Sequence, residues 1–268
     1  MFHVFSCLLG FIMIYPLLWL VASSFKSNDT MFKNTYSLLP ESWGIIKNYN
    51  SGFASTTGYS FGHFFMNSAI VTVIGVVCTI FSFLLAAYAV SRVKFFGANF
   101  WFGCIIMTMM IPAQVMVVPQ YIILKKLHLN DTLLAMILPW AFGGAFFVFL
   151  IVQYMRGIPK ELDEAAMIDG CNKGKAMWHV VIPLMRSSFV QCIFLSTTRC
   201  FMVYDLNLSL TKGEPFNQSV LAAMHVYNQA FVYKNYGTGQ AEALVLFIVC
   251  AVIGMLQVYF GKKGEVAA

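Results

Sequence analysis

Six long apolar runs, separated by short polar stretches, make up most of this 268-residue chain. They cover about Phe2–Phe25, Phe64–Val90, Phe96–Leu124, Thr132–Met155, Val181–Tyr204 and Ala243–Gly261. Crossing ~30 Å of hydrocarbon takes roughly 20 helical residues, and each run is about that long. The runs are apolar all round, without the short polar–apolar alternation of barrel strands. A helix satisfies its backbone groups within one segment, which lipid demands. The pattern therefore predicts an all-α polytopic membrane protein with about six transmembrane helices. The third run holds Pro112 and Pro119. Each proline removes a helix hydrogen bond and crowds the preceding turn, so a kink or break is expected there. An ordinary kink and a transport-related break both fit.

Composition supports the membrane reading. The chain is 59% hydrophobic and 10% charged, whereas soluble domains carry about 25% charged residues. Its net charge is +6, but the basic residues are scattered at the flanks of apolar runs. That distribution follows the positive-inside rule and gives no nucleic-acid-binding patch. With both termini inside, the inner set is Arg92, Lys94, Arg156, Lys160, Lys173, Lys175, Arg186, Lys262 and Lys263. The outer set is Lys26, Lys33, Lys47, Lys125, Lys126, Lys212 and Lys234, and Arg199 falls within a run. The inner charges lie nearer the run ends, where the rule applies best; Lys125 and Lys126 oppose this orientation. The seven cysteines form no CxxC pair and six lie in apolar runs, as packed thiols do. The five histidines are dispersed, so no metal or cofactor is expected. No Lys or Arg precedes the first run, so an uncleaved first span is expected; Ala22-Ser23-Ser24 leaves cleavage open.

One loop, residues 156–183, differs from the rest. Between the fourth and fifth runs it reads Ile158-Pro159-Lys160-Glu161-Leu162-Asp163-Glu164-Ala165-Ala166-Met167-Ile168-Asp169-Gly170. Pro159 suits the first helical position. Glu161, Asp163 and Glu164 oppose the positive end of the helix dipole. Ala165 and Ala166 are strong helix formers, and Gly170 can supply a left-handed stop. A second short helix is predicted from Asn172 to His179, before the chain re-enters the membrane at Val180-Val181-Ile182-Pro183.

This loop resembles the cytoplasmic signature loop of ABC-importer permeases. In that pattern Glu-Ala-Ala and three residues precede Gly; nine residues later come an aliphatic residue, any residue, an aliphatic residue and Pro. Glu164-Ala165-Ala166, Gly170, Val180, Ile182 and Pro183 fit it throughout. Asn67-Ser68, Ala86-Ala87-Tyr88-Ala89-Val90-Ser91-Arg92, Met110-Ile111-Pro112-Ala113-Gln114 and Val117-Val118-Pro119 extend the likeness. Together they resemble the second permease of maltose-type carbohydrate importers. The chain departs from that pattern at Arg199-Cys200-Phe201-Met202-Val203-Tyr204-Asp205, where the family often has Trp-Asn-Asp. Leu208–Pro215 looks more like the first permease of such pairs, so the subunit position stays open.

The resemblance implies one permease domain over residues 1–268, half of a pathway for a sugar or oligosaccharide in a cell membrane, without catalytic residues; another organic solute is the alternative cargo. Its implied partners are a second permease, two cytoplasmic ATP-binding subunits and a solute-binding protein. Glu164, Ala165, Ala166, Asp169, Gly170 and Pro183 are the implied ATPase-coupling residues; a solvated acidic helix is the alternative. Arg199 is the unusual residue within a run, since a central Arg costs about 2.5–3.5 kcal/mol on insertion scales. Arg199 and Asp205 are candidates for the translocation path, and a structural or snorkelling role is the alternative. The polar stretch Ser209–Tyr236 fits an outer mouth or an ordinary loop. Gly170-Cys171-Asn172-Lys173-Gly174-Lys175-Ala176 has the wrong gap and lacks the Ser or Thr of a phosphate loop. A lone secondary transporter would favour intramembrane acids and inverted repeats, which the runs do not show.

Overall fold

The computed structural model describes residues 2–33, 37–54, 58–142, 144–213 and 216–262. Among these residues the chain is helical, and its single β-bridge joins Lys26 to Trp43. The first helices in chain order are α1 (Phe2–Ser24), α2 (Ile45–Phe53), α3 (Phe61–Arg92), α4 (Ala98–Thr108) and α5 (Ala113–Lys126). Next come α6 (Leu134–Phe142), α7 (Ala145–Gly157), α8 (Glu161–Ile168), α9 (Lys173–Ala176), α10 (Ile182–Leu184) and α11 (Arg186–Phe201). The chain ends with α12 (Asp205–Leu210), α13 (Ala222–Tyr227) and α14 (Tyr236–Lys262). π-Helical turns follow α9 at Met177–Val181 and α13 at Asn228–Val232.

His3–Ser24, Phe61–Arg92, Leu134–Gly157 and Tyr236–Gly261 are each long and apolar enough to cross a membrane. Two bent pairs, α4 with α5 and Lys173–Leu184 with α11, bring the count to six if each pair is one span. The third predicted run is thus broken, with a 102° bend between α4 and α5. Only one of its two prolines makes the break. Pro112 stands extended as the N-cap of α5, where its missing N–H costs nothing, while Pro119 lies inside α5. The fifth predicted run starts earlier than Val181, because α9 continues through the π turn into α10. It bends by 76° where Met185 separates α10 from α11.

The chain forms two compact units. One consists of residues 1–68 and 212–251, the other of residues 69–211 and 252–268. In the first, polar side chains serve backbone carbonyls that helix ends leave open. Asn48 donates to the carbonyls of Ser24 and Lys26, both at 2.9 Å. Asn67 donates to the carbonyls of Gln218 and Val220 at 2.7 and 3.0 Å, and the Ser68 hydroxyl accepts the Ala222 amide at 2.9 Å. The Asn67-Ser68 pair therefore clips the 218–222 segment to the start of α3. Deeper in this unit, His225 Nε2 lies 3.3 Å from Glu242 Oε1, with side-chain exposures of 5% and 2%. The His225 ring stacks on Phe64 at 4.4 Å.

The second unit is built on a repeat of apolar residues at helical spacing. Phe147, Val148, Ile151, Val152 and Met155 of α7 meet Phe83, Leu84 and Ala87 of α3, with Phe102, Val181, Met185 and Cys192 completing the core. Positions four apart share a helix face, which is how one stripe of α7 fills the interior. Gly144 lets α7 begin close to α3, since a Cβ there would sit 2.5 Å from the Phe83 ring. The Thr79 hydroxyl donates to the Trp140 carbonyl at 3.1 Å, near the end of α6 where carbonyls lose helical partners.

Removing one member of a buried polar pair leaves the other group without its partner, at a cost of about 1–3 kcal/mol. Glu242→Ala is therefore expected to lower the thermal midpoint of the detergent-solubilised protein sharply. The double change His225→Phe with Glu242→Leu is expected to recover most of that loss, because an apolar pair of similar volume avoids the desolvation penalty.

Candidate functional site

The loop singled out by its acidic cluster folds as a short helix with a built start and a built stop. Helix α8 begins at Glu161, with Lys160 as its N-cap. Pro159 precedes the helix rather than opening it, and its carbonyl accepts the Leu162 amide at 3.4 Å. Glu161, Asp163 and Glu164 occupy the first turn, opposite the positive end of the dipole. At the other end Gly170 adopts φ +89°. The Cys171 amide reaches the Ala166 carbonyl at 2.9 Å and the Gly170 amide reaches Met167 at 3.1 Å. These two bonds are a Schellman stop, which needs the left-handed residue that glycine provides. A Cβ at Gly170 would meet nothing within 4 Å, so backbone conformation alone selects glycine here.

The chain then starts a second helix at once. Asn172 caps α9, its side-chain oxygen accepting the Lys175 amide at 2.8 Å. The π turn carries α9 into α10 and Pro183, with the Ile182 amide bonded to the Met177 carbonyl. A wide turn here accommodates the proline, which offers no N–H to the ladder.

The body of α8 is turned outward. Ala166 is buried, whereas Glu161, Glu164, Ala165, Asp169 and Gly170 are exposed. Ile168 is 86% exposed, an unusual position for a large aliphatic side chain. Beside α8 lies an open cleft of about 720 Å³, lined among others by Tyr88, Lys94, Phe96, Asp163, Glu164 and Met167.

The buried side of the loop is held by the end of α3. Arg92, whose side chain is 4% exposed, donates through Nη2 to the carbonyls of Met155 and Ile158 at 2.7 and 2.9 Å. Its Nη1 lies 3.1 Å from Asp163 Oδ2, an ion-pair contact without an aligned hydrogen bond. One turn earlier the Tyr88 hydroxyl donates to the Lys173 carbonyl at 3.2 Å.

Residues 79–264 match the family described as binding-protein-dependent transport system inner membrane component. The chain belongs to that family. The match covers both halves of the loop, so this inner membrane component carries its acidic helix within the family's own segment. A probable ABC transporter permease of Bacillus subtilis (strain 168), YurM, is 39% identical over 171 residues, 63% of this chain and 55% of that protein. The chain thus spans about half the length of that relative. The diacetylchitobiose uptake system permease NgcG of Streptomyces coelicolor is 28% identical over 260 residues, 96% of this chain and 82% of that protein. The fold is that of a solved bacterial ABC transporter for alginate import, with a TM-score of 0.80 at 20% identity over 96% of this chain and 94% of that one.

The other expected site residues of this membrane component lie apart from the loop. Arg199 is exposed in the last turn of α11, where a cation suits the negative end of the dipole. Asp205 is exposed at the first residue of α12, beyond the break at Met202–Tyr204. No ion pair joins the two. The polar stretch 209–236 folds in part as α13 and its π turn; Glu214 and Pro215, quoted in the first-permease likeness, lie outside the described residues.

Sequence reasoning placed Arg92 among the inward-facing charges and missed that it is buried against the loop. Its position closing the Ala86–Arg92 segment was the available signal. It also began the sixth run one residue too late to include Glu242, which lies within α14.

Forcing a residue with a Cβ into the left-handed region costs about 1–2 kcal/mol. In Gly170→Ala, hydrogen exchange of the amides over 161–171 should accelerate roughly fivefold to thirtyfold, while exchange in α7 stays unchanged.

Proposed function

We propose that this chain is a permease subunit of an ABC importer and that α8 is the docking element for a cytoplasmic ATPase subunit. The observation that carries the reading is the helix itself. It is short, carries acids in its first turn and a Gly170 stop at its end, and is buried on one side and exposed on the other with Ile168, Ala165 and Glu164 outward. A solvated loop has no need of an exposed isoleucine, whereas a groove on a partner accepts an apolar side chain ringed by carboxylates. Residues 1–268 then form one permease, with 156–183 as its inner-face coupling loop and both termini on that side. Glu164, Ala165, Asp169 and Gly170 form the docking surface, Ala166 seats the helix from its buried side, and Pro183 starts the return to the membrane. ATP binding and hydrolysis occur on the partner. The permease, paired with a second permease, alternates the access of a shared cavity to the two sides of the membrane. A solute-binding protein delivers cargo at the opposite face, where residues 209–236 are the candidate contact.

The cargo we propose is a sugar or oligosaccharide. The support is the carbohydrate-importer pattern in the sequence and the saccharide named for NgcG. The proposal extends to Arg199 and Asp205, two exposed charges flanking the break between α11 and α12. Charges within or at the end of an apolar run need water or a partner, and a cavity shared by two permeases supplies it.

A cysteine at position 164 in the assembled complex should crosslink to the ATPase subunit. Glu164→Ala should reduce uptake of labelled glucose and N-acetylglucosamine oligosaccharides about tenfold or more while ATP hydrolysis persists, a loss in the range of ordinary coupling energies. Failure to crosslink, together with undiminished uptake, would remove the docking assignment. In the same assay Arg199→Leu should slow uptake with assembly intact; wild-type uptake would take Arg199 out of the path.

A further inference from the structure

We infer that Arg92 is a positioning residue that joins the docking helix to α3, so that motion of α8 is delivered to a membrane-spanning helix rather than absorbed by the loop. This deepens the reading of α8 as an ATPase-docking element and rests on it. A basic residue that only anchors a helix at the headgroups points its charge into water. Arg92 does the reverse, with its side chain 4% exposed. Its guanidinium meets groups from two further elements. The Met155 and Ile158 carbonyls stand at the C-terminal end of α7, where the dipole is negative and carbonyls keep lone pairs free of the regular helical ladder. The Asp163 carboxylate stands in the first turn of α8. One planar fork therefore ties the end of α7, the start of α8 and the end of α3 together.

Tyr88 extends the joint to the far side of α8 through the Lys173 carbonyl. Residues 88–92 thus hold the chain before, within and after the docking helix. Beneath them, Ala87, Met155, Val181 and Met185 belong to one buried core, which gives the joint a rigid floor. A lysine at position 92 would keep the charge, but a single ammonium cannot present the fork that reaches two carbonyls and a carboxylate at once. The contact between Nη1 and Oδ2 is electrostatic more than directional, so neutralising either partner removes it without changing shape.

The test uses the whole complex in nanodiscs, with an environment-sensitive unnatural amino acid at Val73, an exposed position of α3. That site lies 19 residues before Arg92, roughly 28 Å along the helix at 1.5 Å per residue. ATP with vanadate is the probe; the Val73 signal and ATP hydrolysis are read with Glu164 intact, and the crosslink is read in a parallel preparation carrying Glu164→Cys. Arg92→Gln and Asp163→Asn should each cut the ATP-driven Val73 signal at least about fivefold, with hydrolysis and crosslink retained, and the double variant should be no worse than the worse single. Arg92→Lys should fall between. A merely structural role would lower assembly, hydrolysis and signal in proportion. If Arg92→Gln does not accumulate, Asp163→Asn, at a partly exposed side chain, decides alone. A full Val73 signal with the crosslink present overturns the joint and leaves the docking reading standing. A missing crosslink in the unmodified complex sinks the docking reading, and this inference with it.

Discussion

Hydrocarbon offers no hydrogen bonds, and that constraint governs nearly every feature of this chain. Backbone amides must bond within their own helix, so the apolar runs have one regular solution. Wherever the chain bends or stops, carbonyls lose partners, and something must replace them. Several of the polar side chains buried here do that work. Asn48 serves Ser24 and Lys26, Asn67 serves Gln218 and Val220, Thr79 serves Trp140, and Arg92 serves Met155 and Ile158. Each such donor also fixes the geometry of two segments that are distant in sequence. Satisfying the backbone and organising the fold are in this sense the same event.

The acidic loop is the exception that the constraint permits. It folds with caps supplied by its own residues, Gly170 and Asn172, and presents much of its surface outward. Its local start and stop make α8 a firm body despite its eight residues, fewer than an isolated helix needs for stability. The remaining support comes from Ala166 and Asp163 on the inner side, against α9 and the end of α3. A short helix held firmly on one side and open on the other suits the transmission of a push, which a flexible loop would dissipate.

The bent pairs show how proline chemistry and tertiary context divide the work. Pro112 and Pro119 offered equal reasons for a break, and only Pro112 made one. An N-cap position has no helical N–H to lose, so the break is cheapest where the next helix begins. Pro119 is accommodated about two turns further on, inside a helix whose Leu124 packs with Ala135 and Leu210. The bend at Met185 falls two residues after Pro183, and Met185 itself is buried in the α3–α7 core.

Much of the fold was legible in the residues because it follows from local rules. Long apolar runs dictate helices, acids mark a helix start, and a glycine at the right distance marks its end. Gly170 and the Asn172 start could be read in this way, as could the order of the spans. The family likeness was legible too, since it rests on spacing along the chain. What sequence could not show is which polar residue faces inward, because that depends on which segments meet. Arg92 and Lys94 look alike in the chain, yet the fold buries Arg92 against α7 and α8 and leaves Lys94 exposed beside the cleft. Likewise His225 and Glu242 stand 17 residues apart in sequence and become a pair only when α13 packs on α14. Local physics chose the elements; the contacts among them assigned each charge its partner.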